Sequence, residues 1–384
     1  MLHAVVWCRI TIVVALLGLS APATGSAAEP APSAGVERPL RLPPGPGNPR
    51  NSEGAFITLK DGRVMFIYTH FDGKGSGSDF DHSHLTARFS SDGGKSWTKT
   101  DTLVLENEAK TNTMSVSLLR LQNGDIALFY CRKNSLTDCI PYVRISRDEA
   151  KTWSEPQPCI TDIPGYYVLN NDRVVQLKSG RLVAPVAEHG TTAKGGFDGH
   201  GIVMCYLSDD NGKTWRRNQT KFDGKTATGR TVLQEPGVVE LKDGSLLMFI
   251  RTNGGSQFLS HSKDGGETWS AIAPSKILSP VSPASIKRIP KTGDLLLVWN
   301  NHENIDAARR GKRTPLSVAI SSDEGQTWTH VKNLEDDVHG WYCYTAIEFV
   351  GDHVLLGHCA GDRRTNGLAT TQITRFSLDW LYGK

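Results

Sequence analysis

The sequence predicts an all-β fold, a six-bladed β-propeller of four-stranded antiparallel blades, and three observations lead there. Five segments, 90–97, 146–153, 208–215, 262–269 and 321–328, share the pattern Ser-x-Asp-x-Gly-x-Thr/Ser-Trp, the second with Ala150 in place of the Gly. Six turn dipeptides interleave with them: Asp61-Gly62, Asn123-Gly124, Ser179-Gly180, Asp243-Gly244, Thr292-Gly293 and Val350-Gly351. Each turn stands between an alternating run and an apolar run of the Leu-Met-Phe-Ile kind, and no stretch carries a helical period.

The turns come first in each repeat, because Asp-Gly and Asn-Gly between β-rich runs are strong hairpin signals. The boxes come next. Asp and Gly suit a tight turn, the Asp side chain accepting from nearby backbone N–H groups, and the Trp supplies a large apolar plate to pack on the sheet. Five of the nine Trp are committed to these boxes, so the box is structural before anything else. Six hairpins, five of them followed by a box, imply radial repetition of six blades.

Outside the repeats, residues 1–28 carry His3 and Arg9, an apolar run from Ile10, and Ser26-Ala27-Ala28, the pattern of a secretory signal cleaved after Ala28. The apolar run is short for a membrane span, so a secreted or periplasmic protein without a membrane span is expected. Residues 29–48 are rich in Pro, Gly and Ala and read as a flexible lead-in, with the propeller occupying 49–384. A net charge of +3 without basic runs argues against nucleic acid. Six cysteines remain after the signal; Cys343 and Cys359 lie eight residues either side of Gly351, where a hairpin would bring them face to face as a disulfide or as buried thiols.

Residues equally far before and after a hairpin turn lie at one end of the sheet, which locates a polar mouth. Nine before each turn Gly stand Glu53, Ser115, Asn171, Glu235, Ala284 and Tyr342. Seven to nine after it come His70, Arg132, Lys133, Glu188, His189, Arg251, Asn300, Asn301, His302 and His358. The third strand of each repeat adds Asp81, Asp138, His200 and Arg313. Carboxylates, histidines and arginine forks in one concavity suit an anionic, hydroxyl-rich ligand such as a sugar acid.

Repeated Ser-x-Asp-x-Gly-x-Thr-Trp boxes over the whole expected mature chain resemble those of the sialidases and their relatives. The resemblance implies an exo-acting, retaining glycoside hydrolase that releases a terminal sialic acid from a glycan or glycoconjugate, using a Tyr nucleophile, a Glu that takes its proton, an Asp acid and three arginines around the substrate carboxylate. The segment from Gln234 through Gly244 is similar to that of the activating Glu, which gives Glu235. Phe249-Ile250-Arg251-Thr252 is similar to the second-arginine segment. Tyr344-Thr345-Ala346-Ile347 resembles the nucleophile segment, with Tyr342 as the alternative, and Arg313 matches the third arginine. Asp81 is preferred as the acid over Asp79, both on the Gly-rich loop before the first box. Arg50 stands for the first arginine, but the family's Arg-Ile-Pro is replaced by Arg50-Asn51-Ser52 with Glu53 beside it, while Arg288-Ile289-Pro290 lies far from the mouth. Asn170, Asn171, Asp172, Arg173, His189 and His200 are candidate readers of the substrate's hydroxyls.

A monomer acting without cofactor or metal is expected: no His pair has metal-binding helix spacing and no phosphate loop occurs. Two rival readings remain, a propeller glycosidase for a different sugar and a carbohydrate-binding propeller without turnover.

Overall fold

The structure is a computed structural model that describes residues 34–73, 75–226 and 229–384. The expected signal, 1–28, lies outside the described residues. Among the described residues no helix is long and apolar enough to cross a membrane.

The fold is all-β apart from one terminal helical turn, Leu378–Tyr382. Each turn dipeptide joins the first two strands of a four-stranded antiparallel group. The first sheet runs Arg50–Thr58, Val64–Phe71, Ser83–Ser90, Thr102–Leu105; the fourth runs Leu233–Glu240, Leu246–Thr252, Ser256–Ser262, Ala273–Leu278; the fifth runs Ser285–Arg288, Leu295–Trp299, Leu316–Ser321, Thr329–Glu335. The second group, from Asn112–Arg120 to Gln157–Pro158, and the third, from Val175–Gln176 to Arg216–Arg217, are joined into one nine-stranded sheet by Tyr166–Val168, which pairs with both. Second strands are apolar where both faces of the sheet are covered by neighbouring sheets, throughout Leu295–Trp299 and over the first five residues of Leu246–Thr252.

The core is divided accordingly. Each apolar cluster lies between consecutive sheets: Ile67 and Leu128 between the first and second, Met204 and Phe129 between the second and third, Val203 and Met248 between the third and fourth, Leu247 and Leu297 between the fourth and fifth, Val318 and Leu356 between the fifth and sixth. A further cluster sets Phe66 of the first sheet against Leu355 and Ile373 of the sixth.

The sixth sheet corrects the expectation of a flexible lead-in. Its strands are Gly340–Val350, His353–Asp362, Thr371–Ser377 and, at the outer edge, Val36–Leu42 from the N-terminal end of the described chain. Val36 and Leu42 are buried against this sheet, Arg38 pairs with Glu335 and Arg375 with Glu37. The surrounding Pro and Gly mask a short alternating strand whose backbone partners come from the far end of the sequence. Cys343 and Cys359 face each other in register across the hairpin, and all six described cysteines are free thiols.

The five boxes have one hydrogen-bond scheme. In the first, Ser90 Oγ donates to Asp92 Oδ1 and accepts from Gly94 N, while Asp92 accepts from the backbone and hydroxyl of Ser96. Six atoms thus close on themselves, and the aspartates of the first, second and fifth boxes are pulled down to about 2, chiefly by these hydroxyl bonds. The exceptional box holds Ala150 at φ +63°, where its Cβ is crowded. Ala150→Gly should therefore stabilise the protein by about 1 kcal/mol, seen as a raised denaturant midpoint; an unchanged or lowered midpoint would show that the Ala methyl contact outweighs the strain.

Candidate active site

The site is built by a repeated distortion of the first strands of the first, second, fourth and sixth groups. Pairing of Arg50–Thr58 with its neighbour slips between Ser52 and Ala55, that of Asn112–Arg120 between Met114 and Ser117, that of Leu233–Glu240 between Gln234 and Gly237, and that of Gly340–Val350 between Cys343 and Ala346. At each slip one residue takes a left-handed backbone: Glu53 at φ +54°, Ser115 at +63°, Glu235 at +46° and Tyr344 at +56°. Asp172 at +53° repeats it in the third group. A bulge of this kind turns a side chain out of the alternating pattern, and Glu53, Ser115, Glu235 and Tyr344 all line one cavity of about 290 Å3.

Two arginines complete its charged wall. Arg251 Nη1 donates to Glu235 Oε2 at 2.7 Å, and Tyr344 Oη donates to Glu235 Oε1 at 3.1 Å, so one carboxylate holds both. Arg313 lies with its guanidinium 5.4 Å from the Tyr344 ring centre and 5.0 Å from that of Trp341, and donates to Cys343 Sγ at 3.0 Å. Burial alone would push the Glu235 carboxyl up, but Arg251, Arg313 and Arg173 more than offset it and hold it below its usual range. Burial and the adjacent Glu235 charge push the Tyr344 phenol up, so it rests protonated. Tyr342, by contrast, is buried against His358 outside the cavity. Counting from Gly351 misplaces it by two, because the last hairpin closes in a two-residue turn between Val350 and His353 where the first uses the five residues 59–63.

Other expectations change as well. Asp81 does not face the cavity: its Oδ2 accepts from the N–H groups of Gly77 and Ser78 and ties its own loop. The cavity carboxylate from that loop is Asp79. Arg50 is 1% exposed and spoken for, donating from Nη1 to Asp79 (2.6 Å), from Nη2 to Glu53 (2.8 Å) and from Nε to Ser52 (2.9 Å). It does not line the central cavity; it clamps two carboxylates that do. Burial pushes the Glu53 carboxyl up, whereas Arg50 and Lys133 outweigh burial at Asp79 and hold it low.

Asn171, Asp172 and Arg173 lie beneath the cavity as ties between sheets. Asn171 Nδ2 donates to Gly54 O (2.8 Å) and Tyr344 O (3.0 Å), Asp172 Oδ2 accepts from Ile347 N, and Arg173 Nη2 donates to Ala284 O. Their polar run signalled a functional position, but their partners belong to the first, fifth and sixth sheets, backbone groups together with the Ser285 hydroxyl and the Lys287 ammonium. His189 does line the cavity, its Nδ1 meeting Asp198 O at 2.9 Å and its ring tilted by 34° against Phe197 with the ring centres 4.7 Å apart; burial holds its pKa down. His200 stays outside it, bound to Asp198.

The sequence reading gave no role to Lys133, nor to Tyr166, Phe197 or Trp341, all of which line the cavity, as does Asn170 from the polar run 170–173. Lys133 is buried, donates to Asp79 O at 2.7 Å, and was at least placed at the correct strand end by the turn count. Phe197 comes from a loop and Tyr166 from a three-residue strand, both too short of periodicity to point inward, while Trp341 stands near the start of the strand Gly340–Val350.

Fold and cavity together define a sialidase-like all-β repeat protein. The model of the BNR repeat-like domain matches residues 97–355, and the chain belongs to that family. A sialidase of Micromonospora viridifaciens is 25% identical over 402 residues, 95% of this chain and 58% of that protein. A sialidase of Bacteroides fragilis is 28% identical over 217 residues, 53% of this chain and 36% of that protein. The chain thus spans less than two thirds of either relative. The crystal structure of a leech intramolecular trans-sialidase complexed with 2,7-anhydro-Neu5Ac superposes with a TM-score of 0.68 at 16% identity, covering 90% of this chain and 71% of that one.

A depressed carboxyl contributes stability above its unfolded value of about 4.3 and loses it as pH falls through the folded value. The melting-temperature gap between wild type and Glu235→Gln should therefore be widest near neutrality and narrow below about pH 4. A gap that is the same at every pH would contradict an ionised, arginine-held Glu235.

Proposed function

We propose that this protein is an exo-acting, retaining glycoside hydrolase of the sialidase kind, closed as a six-bladed propeller, that releases a terminal sugar bearing a carboxylate on its anomeric carbon. The propeller is supported by apolar clusters that run between successive sheets and return from the sixth to the first, and by the N-terminal strand that completes the sixth sheet. The activity rests above all on Tyr344 Oη at 3.1 Å from Glu235 in a cavity that also holds Arg251 and Arg313. The segment 1–28 supports an exported protein.

The charge arrangement suits one chemistry. A carboxylate nucleophile would be repelled by the substrate's own carboxylate, whereas a neutral phenol is not. Arg251 and Arg313 grip the substrate carboxylate. Tyr344 Oη attacks the anomeric carbon as Glu235 takes its proton, and the bond to the leaving oxygen breaks as Asp79 protonates it. In the free chain Asp79 is held ionised by Arg50 and Lys133; an arriving substrate carboxylate adds a like charge nearby and raises its affinity for a proton. Water, giving its proton to Asp79 as base, then cleaves the tyrosyl glycoside bond while Glu235 returns the proton to the departing Tyr344 oxygen, restoring the original anomeric configuration. His189, neutral by burial, and Asn170 are placed to meet the sugar's hydroxyls and acyl substituent.

The test is fluorescence release from 4-methylumbelliferyl N-acetylneuraminic acid at mildly acidic pH. Wild type should turn it over, and Tyr344→Phe and Glu235→Gln should each lower kcat at least about 100-fold. Asp79→Asn should cost less here than on sialyllactose, because methylumbelliferone leaves without a proton. Silence of the folded wild type, or full activity of Tyr344→Phe, would overturn the reading.

A further inference from the structure

A second cavity of about 540 Å3 adjoins the central one and shares Asp79, Trp341 and Leu368 with it. It is an open groove between the loop that carries Ser76, Gly77 and Ser78 and the loop from Arg363 to Leu368. The two loops are fastened across the groove, Asn366 Nδ2 donating to Ser76 O at 3.2 Å. Both contacts depend on missing side chains. A Cβ on Gly367 would stand 2.4 Å from Trp341 Cγ, so the indole lies flat against the backbone there; a Cβ on Gly77, at φ +77°, would stand 2.9 Å from Arg50 Cβ. Trp341 thus forms a wall common to both cavities, and Asp79 stands at their junction.

The charges of the groove are unbalanced. Arg50 is consumed by Glu53 and Asp79, and Arg364 pairs with Asp362. The Arg363 side chain is exposed, lines the groove, and has no acceptor among the described residues. Among the described residues, Asp79, already clamped, is the one carboxylate that lines the groove.

We propose that this groove is the subsite for the leaving group, and that it takes a saccharide carrying an anionic substituent, which Arg363 binds. This rests on the reading of Asp79 as the acid: a group that protonates the departing oxygen has the sugar being transferred on one side and the departing saccharide on the other. The flat indole of Trp341 offers the saccharide an apolar face, Ser76 and Ser78 offer hydroxyls and backbone groups, and the free guanidinium offers a fork to a sulfate ester or to the carboxylate of a second acidic sugar.

The probes are sialyllactose, sialyllactose sulfated on the galactose, and a substrate whose leaving group is itself an acidic sugar, alongside the methylumbelliferyl sialoside. At least one anionic leaving group should lower KM about tenfold relative to sialyllactose, and which of the two does so identifies the source of the anion. In Arg363→Ala this KM ratio should fall to about one, in Arg363→Lys it should largely return, and added salt should erode it. Gly367→Ala should raise KM for the saccharide substrates by displacing Trp341. Equal KM values for neutral and anionic leaving groups, or a ratio untouched by Arg363→Ala, would overturn the groove assignment while turnover of the methylumbelliferyl substrate leaves the proposed activity standing. Should no sialoside be turned over, calorimetric titration with sulfated lactose decides separately: saturable binding that Arg363→Ala abolishes supports the groove, and absent or unchanged binding overturns it.

Discussion

A β-strand with regular alternation presents every second side chain to the same face, and no regular arrangement of the first strands would converge Glu53, Ser115, Glu235 and Tyr344 on one cavity. The left-handed residue at each bulge is what turns them inward, at a cost of about 1–3 kcal/mol apiece for a residue with a Cβ. Such strain persists only where the surroundings leave no alternative. Here Asn171 supplies that restraint, with one amide holding the carbonyls of Gly54 and Tyr344, next to two of the bulges. Asp172 fixes Ile347 N, and Ser285 Oγ fixes Thr345 O at 2.6 Å on the far side of the same strand. The polar run Asn170-Asn171-Asp172-Arg173 is therefore a central tie that keeps opposed sheets in the one conformation the site requires.

From this geometry the electrostatics follow. Glu235 receives a phenol on one oxygen and a guanidinium on the other, which keeps it ionised and keeps Tyr344 protonated until a substrate arrives. Across the cavity, Glu53 and Asp79 share Arg50, and burial divides them: Glu53 is pushed toward the neutral form and Asp79, backed by Lys133, toward the charged one. Removing Arg50 from the cavity leaves two arginines and Lys133 as its accessible cations. Two guanidinium groups with an ammonium beside Asp79 are a different distribution of positive charge from the three converging arginines that the sequence resemblance implied.

Much of this was legible in the chain. Boxes and turn dipeptides are local chemistry, so their spacing carried over directly into strands and hairpins, and counting from the turns found Glu53, Glu235, Arg251 and the end of the strand that bears Lys133. The count went wrong where local chemistry changed: the last hairpin's two-residue turn moved Tyr344 into the place assigned to Tyr342. What stayed hidden depends on partners distant in sequence. Val36–Leu42 becomes a strand only beside Thr371–Ser377. Asp79 and Asp81 differ only in which backbone groups their loop offers, and Arg50 reads as free until Glu53 folds back onto it.

The central claim is that Tyr344, made reactive by Glu235, forms the bond to the sugar. The most direct measurement is the mass of the protein, and then of its peptides, after reaction with a sialosyl fluoride carrying fluorine at the carbon next to the anomeric centre, which slows breakdown of any glycosyl-enzyme adduct formed. The account predicts a single sialosyl adduct on the peptide containing Tyr344, absent in Glu235→Gln at the same reaction time. An adduct on Glu53 or Asp79, or turnover of sialosides with no adduct on any residue, would contradict it.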